Sequence, residues 1–395
     1  MVLLERDTDL RRTVGHALKL TEAAMTALHE TMPADWVRRL YALAQDAGNQ
    51  AGYDVRDHRG RLLAQKLPLE CPAGVATDRL TLRLLLTADL GESLHLGAYV
   101  VGYERRSRGR VAALLADGRD IEVDVLVAAD GVGSAIASSL AGRATSSPTW
   151  LVGVTGRTLV RNLATEARTV YGTGATIVLG PGGYGLHSGR HRPLDQDVAA
   201  AFTDQPLHPE PMYVWGAVML EWAQTAALAE VGESELREAL AVQLRDRHWT
   251  RELVEMVDAA DADSLTSVPF YASPSYPAGI APWAPGVVTA LGDAVHAMPP
   301  TGGQSASTAI RDAHVLVGEL ASAAEGRSSI VAAVDRYQQQ MREYAAPVIA
   351  QFRRPSTWIV APQSDGRWLP SPRETSLASA AVTWVQRSRA EPASV

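Results

Sequence analysis

The most informative stretch of the sequence is LGDAVHAMPPTGGQSASTAIRDAHVL, at residues 291–316. The apolar run GVVTALGD predicts a buried strand ending at Asp293, followed by a Pro-Pro-Thr-Gly-Gly loop and a long helix that begins near Gln304. Open α/β sheets bind ligands at the carboxyl ends of their strands, and Gly302 and Gly303 let the backbone approach a ligand closely. A helix N-terminus adds free N–H groups and a positive dipole end. We therefore predict a site for an anionic or electron-rich group; the alternative is an ordinary strand–loop–helix connection.

Three further segments place polar residues at the ends of apolar runs. VLVAADGVGSAI, residues 125–136, ends a predicted strand with Asp130 and Gly131, although a plain strand-end turn has the same pattern. VLLE ends in Glu5, and an acid at this place binds adenosine ribose hydroxyls in dinucleotide-binding folds. The alternative for Glu5 is a solvated strand-end acid. Arg79 stands at the start of an apolar helix, where a surface arginine would serve equally well.

Together these segments resemble the FAD-binding motifs of flavoprotein monooxygenases that are similar to para-hydroxybenzoate hydroxylase. The resemblance implies that Asp293 binds the ribityl side of FAD and that the loop and helix start lie against the flavin pyrimidine ring. It also implies that Arg79 lies near the FAD pyrophosphate and that the Asp130 segment serves both FAD and NAD(P)H. The implied cofactor-binding residues are Glu5, Arg79, Asp130, Gly131, Asp293, Pro300, Gly302, Gly303, Gln304 and Ser305.

The sequence departs from the family pattern at two positions and at its start. The family usually has glycine where Ser305 stands and asparagine where Ser307 stands, so a Cβ at Ser305 is expected to crowd the flavin. Family members also open with a strand, a G-x-G-x-x-G loop and a helix, whereas this sequence begins inside the second strand. Either a shortened chain or a natural relic would explain this. We expect residues 1–395 alone to bind FAD weakly or not at all.

One motif is expected to mislead. GPGGYG, residues 180–185, satisfies G-x-G-x-x-G. Phosphate binding by this motif requires a helix N-terminus directly after the glycines, and no helical pattern follows them here. We interpret it as a turn between two strands. His296 is interpreted as a structural hydrogen-bonding residue rather than a catalytic base. His187 and His191 lack a third ligand at suitable spacing, so no metal site is predicted.

Composition restricts the function classes. The 395 residues carry a net charge of −7 with no basic block, which argues against a nucleic-acid partner. The single cysteine, Cys71, excludes an internal disulfide and fits a reducing cytoplasm. No apolar run approaches the roughly 20 residues that span a bilayer, and no signal peptide is evident. We expect a cytoplasmic protein whose partner is a small molecule.

The expected fold class is α/β: a doubly wound, Rossmann-like FAD-binding domain, truncated at its N-terminus and interleaved with a mixed-sheet substrate domain. Residues 1–45, 76–147 and 283–355 are assigned to the first domain, 46–75 and 148–282 to the second, and 356–395 to a C-terminal extension. The strand ending at Glu5 is expected to be buried. One long helix is expected from Glu233 to Ala259.

The function that the resemblance implies is FAD- and NAD(P)H-dependent oxygen insertion, by hydroxylation or epoxidation through a flavin C4a-hydroperoxide. NADPH or NADH would be the reductant, and an aromatic or polyketide-like small molecule would be the substrate. The alternative is a non-redox cyclase or binding protein on the same scaffold, because a fold does not by itself fix a function.

Overall fold

The computed structural model describes residues 1–12, 17–45, 52–67, 74–181, 183–220, 228, 232–300 and 303–352. Cys71, Gly302 and the proposed extension at 356–395 lie outside these residues. The helices are α1 (Glu22–Thr31), α2 (Ala34–Leu43), α3 (Arg79–Thr87), α4 (Ala135–Ala141), α5 (Thr165–Tyr171), α6 (Gln196–Ala199), α7 (Glu233–Asp246), α8 (Arg251–Asp258), α9 (Asp293–His296), α10 (Ser305–Ala324) and α11 (Ile330–Phe352). The strands are β1 (Leu3–Glu5), β2 (Ala17–Leu20), β3 (Tyr53–Asp57), β4 (Leu62–Leu67), β5 (Val75–Asp78), β6 (Leu94–Leu96), β7 (Val100–Arg105), β8 (Val111–Leu115), β9 (Asp120–Val123), β10 (Leu126–Ala128), β11 (Ser147–Leu159), β12 (Ala175–Leu179), β13 (Gly185–His191), β14 (Met212–Leu220), β15 (Thr266–Ala272) and β16 (Val288–Ala290).

The largest sheet has seven strands in the order β15-β11-β14-β13-β12-β3-β4. Its β12–β3 pair is parallel, and its other pairs are antiparallel. Side chains alternate between the two faces of a strand, and one face carries Val154, Leu186 and Trp215 in a buried cluster. Helices α5, α7 and α8 contribute to the same cluster, so they cover that face and leave the other face toward the rest of the molecule.

The rest of the described chain contains short parallel and antiparallel pairs. Strand β1 pairs in parallel with β6, and β10 pairs in parallel with β16. Strand β2 pairs antiparallel with β5, and β7, β8 and β9 form a small antiparallel sheet. Tyr337 and Met341 of α11 are fully buried against β16 and α9, in one cluster with Leu316 of α10. Parallel strands with helices packed against them are the hallmark of an α/β arrangement.

Two expectations about local structure were wrong. The stretch 233–259 is not one helix but α7 and α8, because His248 adopts a positive φ of 57° between them. Two long-range contacts hold this break: the Thr250 amide donates to the His58 carbonyl, and the Trp249 ring lies against Gly180. Strand β1 is not buried either, since Leu3 is 40% exposed and β6 is its pairing partner.

The seven-stranded sheet uses glycines to make room for aromatic rings, which gives a stability prediction. A Cβ added at Gly156 would lie 2.5 Å from the ring of Trp215, which stands directly opposite on β14 and is 1% exposed. We expect Gly156→Ala to lower the free energy of unfolding by about 1–2 kcal/mol, because the buried ring must shift. The measurement is the denaturant midpoint of the purified protein.

Gly189→Ala is the matched control for Gly156→Ala. Gly189 lies in β13 of the same sheet, and a Cβ there would meet no atom within 4 Å. We expect this variant to unfold at the midpoint of the unchanged protein. Equal midpoints for the two variants would contradict the packing argument.

No helix among the described residues is long and apolar enough to cross a membrane.

Candidate cofactor site

Two of the expected acids follow neighbouring parallel strands. Leu126, Val127 and Ala128 of β10 stand opposite Val288, Thr289 and Ala290 of β16, and the Leu291 amide extends the pairing by donating to the Ala128 carbonyl at 2.9 Å. Asp130 follows the end of β10 and Asp293 follows the end of β16. Both carboxylates therefore follow the carboxyl ends of strands in one sheet, the edge at which α/β proteins bind ligands.

A glycine turn and one serine fix the position of Asp293. Gly292 has a φ of 63°, which favours glycine, and a Cβ at that position would lie 3.3 Å from the Cβ of Ala309. Asp293 then begins the single-turn helix α9. The Ser305 hydroxyl, at the start of α10, donates to the Asp293 carboxylate at 2.5 Å. Ser305, whose Cβ was expected to crowd the flavin, therefore hydrogen-bonds the acid of the same motif.

The N-terminus of α10 carries no side-chain cap. Gln304 is the cap residue, but its side chain accepts no hydrogen bond from the first turn. Gly303 precedes it with a φ of 64°, and its amide donates to the Pro300 carbonyl at 2.9 Å. The first-turn N–H groups of this 20-residue helix therefore remain available as donors to an electron-rich group.

Ser307 ties the same helix start to β2. Its hydroxyl donates to the Lys19 carbonyl at 3.0 Å and accepts from the Thr21 amide at 3.0 Å. Strand β2 pairs with β5, where Ala17 stands opposite Asp78, the residue before Arg79. The contacts thus connect the start of α10 to the start of α3 through one strand.

Arg79 and Arg83 take different positions on α3. Arg79 is the first residue of the helix and is exposed, and it makes no hydrogen bond or ion pair with any part of the chain that the structure describes. Arg83, one turn later, forms an ion pair with Glu5 at 2.9 Å and a second with Asp7 at 3.4 Å. The sequence pattern indicated Glu5 and Arg79 but missed Arg83. Its spacing of four residues from Arg79, on one helix face, was the available signal.

The start of α3 is itself buried and well defined. The Asp78 carboxylate accepts from the Thr81 amide at 3.1 Å and caps the helix. His208 Nε2 lies 3.0 Å from the same carboxylate, and both side chains are buried. Because Asp78 fixes the first turn of α3, the Arg79 side chain projects from a defined position and is available to bind a phosphate.

A buried polar network lies directly behind the Asp293 turn. Asp312 of α10 and His296 of α9 are both 0% exposed, and His296 Nε2 lies 2.5 Å from the Asp312 carboxylate. Burial opposes a charge on His296, but the charge of Asp312, its hydrogen bond and the charge of Asp293 together raise the pKa of His296 above 6.5. His296 is thus a hydrogen-bonding residue of the interior. Asp312, sixteen residues away in sequence, was not predicted.

The seven-stranded sheet is attached to the same loop. The Thr145 hydroxyl, just before β11, donates to the Ala294 carbonyl at 2.8 Å. The Ser273 amide, just after β15, donates to the Ala297 carbonyl at 2.8 Å. The ends of two adjacent strands of this sheet therefore adjoin the segment that carries Asp293.

The GPGGYG segment is a turn, as expected. It joins the antiparallel strands β12 and β13, and the Gly180 amide donates to the Tyr184 carbonyl at 2.8 Å. No helix follows it, so it has no helix N-terminus with which to bind a phosphate. Nor do the described residues contain a group of three or more His, Cys, Asp or Glu side chains that could hold a metal ion.

Comparison with known proteins shows what this arrangement is similar to. An FAD-binding domain family matches residues 243–352. Zeaxanthin epoxidase of Oryza sativa subsp. japonica is 28% identical over 277 residues, which are 68% of this chain and 37% of the relative. The dual O-methyltransferase/FAD-dependent monooxygenase elcB of Phaeosphaeria nodorum is 27% identical over 365 residues, 82% of this chain and 38% of the relative. The chain thus spans less than two fifths of the length of these relatives.

Solved structures share the fold. A structure from Photorhabdus luminescens subsp. laumondii, assigned as an FAD-containing monooxygenase, superposes with a TM-score of 0.70 at 22% identity, covering 89% of this chain and 90% of that one. Klebsiella pneumoniae HpxO, complexed with FAD and uric acid, superposes with a TM-score of 0.64 at 18% identity, covering 96% of this chain and 85% of that one.

By fold and by its FAD-binding domain match, the chain is similar to the aromatic-hydroxylase-type flavoprotein monooxygenases. The resemblance read from the motifs and the α/β fold class are thereby confirmed. The FAD-binding domain match includes Asp293, Gly303 and the start of α10, so it covers the turn and helix described above.

Proposed function

We propose that the protein is an FAD- and NAD(P)H-dependent monooxygenase that hydroxylates or epoxidises an aromatic or polyketide-like small molecule. One observation carries the proposal: Asp293, held by Ser305, lies at the carboxyl edge of paired parallel strands, next to an uncapped helix N-terminus. Such an edge offers an acceptor for sugar-like hydroxyls and donors for an electron-rich ring within one short segment.

The residues present fit FAD. Asp293 would accept from the ribityl hydroxyls, the first-turn amides of α10 would face the pyrimidine ring, and Arg79 would meet the pyrophosphate. Gly303 supports this assignment because its φ of 64° and its lack of a side chain let the backbone lie close to a flat ring. Glu5 would bind the ribose of the adenosine, with Arg83 fixing its orientation through the 2.9 Å ion pair. Asp130 and Gly131 would border the same cleft.

Bound FAD would supply electron transfer and oxygen activation, and the chain would supply the positions and the polarity around it. The α10 N-terminus would stabilise negative charge on the pyrimidine side through its N–H groups and dipole. Asp293 would hold the ribityl chain and thereby the orientation of the ring. NADPH or NADH would be the reductant.

We propose that the substrate lies against the face of the seven-stranded sheet that α5, α7 and α8 leave uncovered. Thr155, Gly216 and His187 stand side by side on that face, on β11, β14 and β13. A Cβ at Gly216 would come no closer than 3.7 Å to another atom, so the row has room above its centre. Adjacent strands are about 4.8 Å apart, so Thr155 and His187 are separated by two strand spacings, with Gly216 between them. The gap between these two side chains suits the width of a ring.

The domain division follows from the same assignment. Residues 1–45, 76–147 and 283–355 would form the cofactor unit, and residues 46–75 and 148–282 would form the substrate unit. The hydrogen bonds of Thr145 and Ser273 to the 294–297 segment support this division, because they bring the substrate sheet against the cofactor loop.

The relatives' names favour oxygen insertion over other flavin chemistry. One relative is named an epoxidase and another an FAD-dependent monooxygenase, and the structure of HpxO contains FAD and uric acid. A further structure with the same fold, CtdE, contains FAD and a substrate. Flat or polycyclic small molecules are therefore the first substrates to test.

The test measures FAD binding first and the incorporation of oxygen into the product last. The sequence alone predicted weak FAD binding or none, but the arrangement around Asp293 and α10 leads us to expect that the purified protein quenches flavin fluorescence on titration with FAD and oxidises NADPH or NADH when a substrate is present. Product formed under ¹⁸O₂ should carry one ¹⁸O atom. A protein that takes up no FAD would instead support the non-redox cyclase or binding protein.

A further inference from the structure

The buried carboxylate of Asp312 is bound by three groups from two separate segments. The Gly292 amide donates to Oδ2 at 2.8 Å, and His296 Nε2 lies 2.5 Å from the same oxygen. The Tyr344 hydroxyl of α11 donates to Oδ1 at 2.6 Å. A carboxylate that is 0% exposed is costly to bury without such partners.

The two groups on Oδ2 stand at the two ends of helix α9. Gly292 is the residue before the helix, and His296 is its last residue. Asp293 lies between them, and its carboxylate accepts from Ser305, which is on the same helix as Asp312. Ser305 and Asp312 are seven residues apart, two turns along one face of α10. Helix α10 thus holds the short turn at its start, at its end and at the acid itself.

We propose that Asp312 is a positioning residue of the flavin site, which clamps both ends of α9 so that the Asp293 carboxylate is held ready for the ribityl hydroxyls. This rests on the proposed FAD function. Without the clamp, Gly292 loses the acceptor that holds its positive-φ turn, and Asp293 samples orientations that do not bind the cofactor. The effect therefore reaches FAD only through Asp293.

The chain offers a matched control within the same network. The Tyr344 hydroxyl binds Oδ1 of Asp312, whereas the two ends of α9 bind Oδ2. Tyr344→Phe therefore perturbs the same buried carboxylate but leaves the Gly292 and His296 contacts in place. Asp312→Leu keeps the branched shape of the side chain but offers no acceptor to Gly292 or His296.

The first experiment follows amide hydrogen exchange in the protein without FAD. In Asp312→Leu, peptides covering residues 288–298 should exchange faster than in the unchanged protein, whereas Tyr344→Phe should leave those peptides unchanged. Equal exchange in Asp312→Leu and the unchanged protein would show that the carboxylate does not hold the turn.

The second experiment is a double-mutant cycle read by FAD titration. Asp312→Leu should raise the Kd for FAD roughly tenfold, and the same change in an Asp293→Ala background should raise it no further, because the two residues act as one unit. Tyr344→Phe should bind FAD like the unchanged protein. The same loss of affinity in both backgrounds, or in Tyr344→Phe, would assign Asp312 a general structural role and overturn the proposal.

The two proposals fail in different ways. If the unchanged protein takes up no FAD, the proposed function fails, and the exchange rates still decide whether Asp312 holds the turn. If the unchanged protein binds FAD and Asp312→Leu binds it equally well, only the positioning role fails.

Discussion

Replacing Asp293 by alanine should raise the Kd for FAD by about ten- to a hundredfold, since a hydrogen bond to a charged group contributes roughly 1.5–3 kcal/mol. The carboxylate lies at the edge of the parallel strands and is already oriented by Ser305, so little ordering is needed when a hydroxyl binds. Alanine removes this acceptor and leaves the β16 strand and the Gly292 turn in place. The measurement is a titration followed by flavin fluorescence.

Asp124→Ala is the control for this prediction. Asp124 precedes β10, at the opposite end of the strand from Asp130, and its side chain is 76% exposed and pairs with Arg110. It has the same charge and lies near the same sheet, so a nonspecific electrostatic effect would appear in both variants. An Asp293→Ala protein that binds FAD as tightly as Asp124→Ala would leave Asp293 with a structural role only.

The strand–loop–helix of the site was predictable because its signals are local. An apolar run, an acid, a Pro-Gly loop and a helical period follow one another within residues 286–320, and the structure has β16, α9 and α10 there. Helix α10 begins at Ser305, one residue from the expected start. Contiguous patterns of this kind predict local structure well, because the backbone conformation of each residue depends mainly on its neighbours in sequence.

The partners of the site residues were not predictable because they are distant in sequence. Asp312 reads as one more polar position on an amphipathic helix, and only the fold brings it against Gly292. In the same way, the sequence shows Ser307 only as a departure from the family's asparagine, and the fold brings its hydroxyl against the Lys19 carbonyl of β2. A single sequence indicates which residues can donate or accept, but not which distant groups they meet.

The interruption between α7 and α8 shows the same limit. Residues 233–259 have a continuous helical pattern, and no glycine or proline stands at 247–250. The break is held by the contacts of Thr250 and Trp249 with residues that lie far away in sequence. Tertiary contacts therefore override the local preference for helix.

Acidification should destabilise the protein through His187. This side chain lies on the face of the seven-stranded sheet opposite α5, α7 and α8, which is turned toward the rest of the molecule. Burial lowers the pKa of His187 from 6.5 to about 4. Between these values the unfolded chain binds a proton that the folded chain does not, so stability falls as pH falls. Each pKa unit corresponds to about 1.4 kcal/mol, so this one group should remove about 2 kcal/mol between pH 7 and pH 5, and about 3 kcal/mol over the whole window.

His187→Asn isolates this contribution, because asparagine keeps a polar side chain that does not titrate. The free energy of unfolding should be measured by denaturant titration at pH 7 and pH 5 for the unchanged protein and the variant. Other groups titrate in the same range: burial lowers the pKa of His58, whereas Asp312 and Asp293 raise that of His296 against burial. Both are present in both proteins and cancel in the difference. The exposed His95 supplies the control, His95→Asn, which should keep the full pH dependence. If His187→Asn loses as much stability on acidification as His95→Asn, then His187 takes up a proton in the folded protein as readily as in the unfolded chain, and burial does not keep its ring neutral at pH 5.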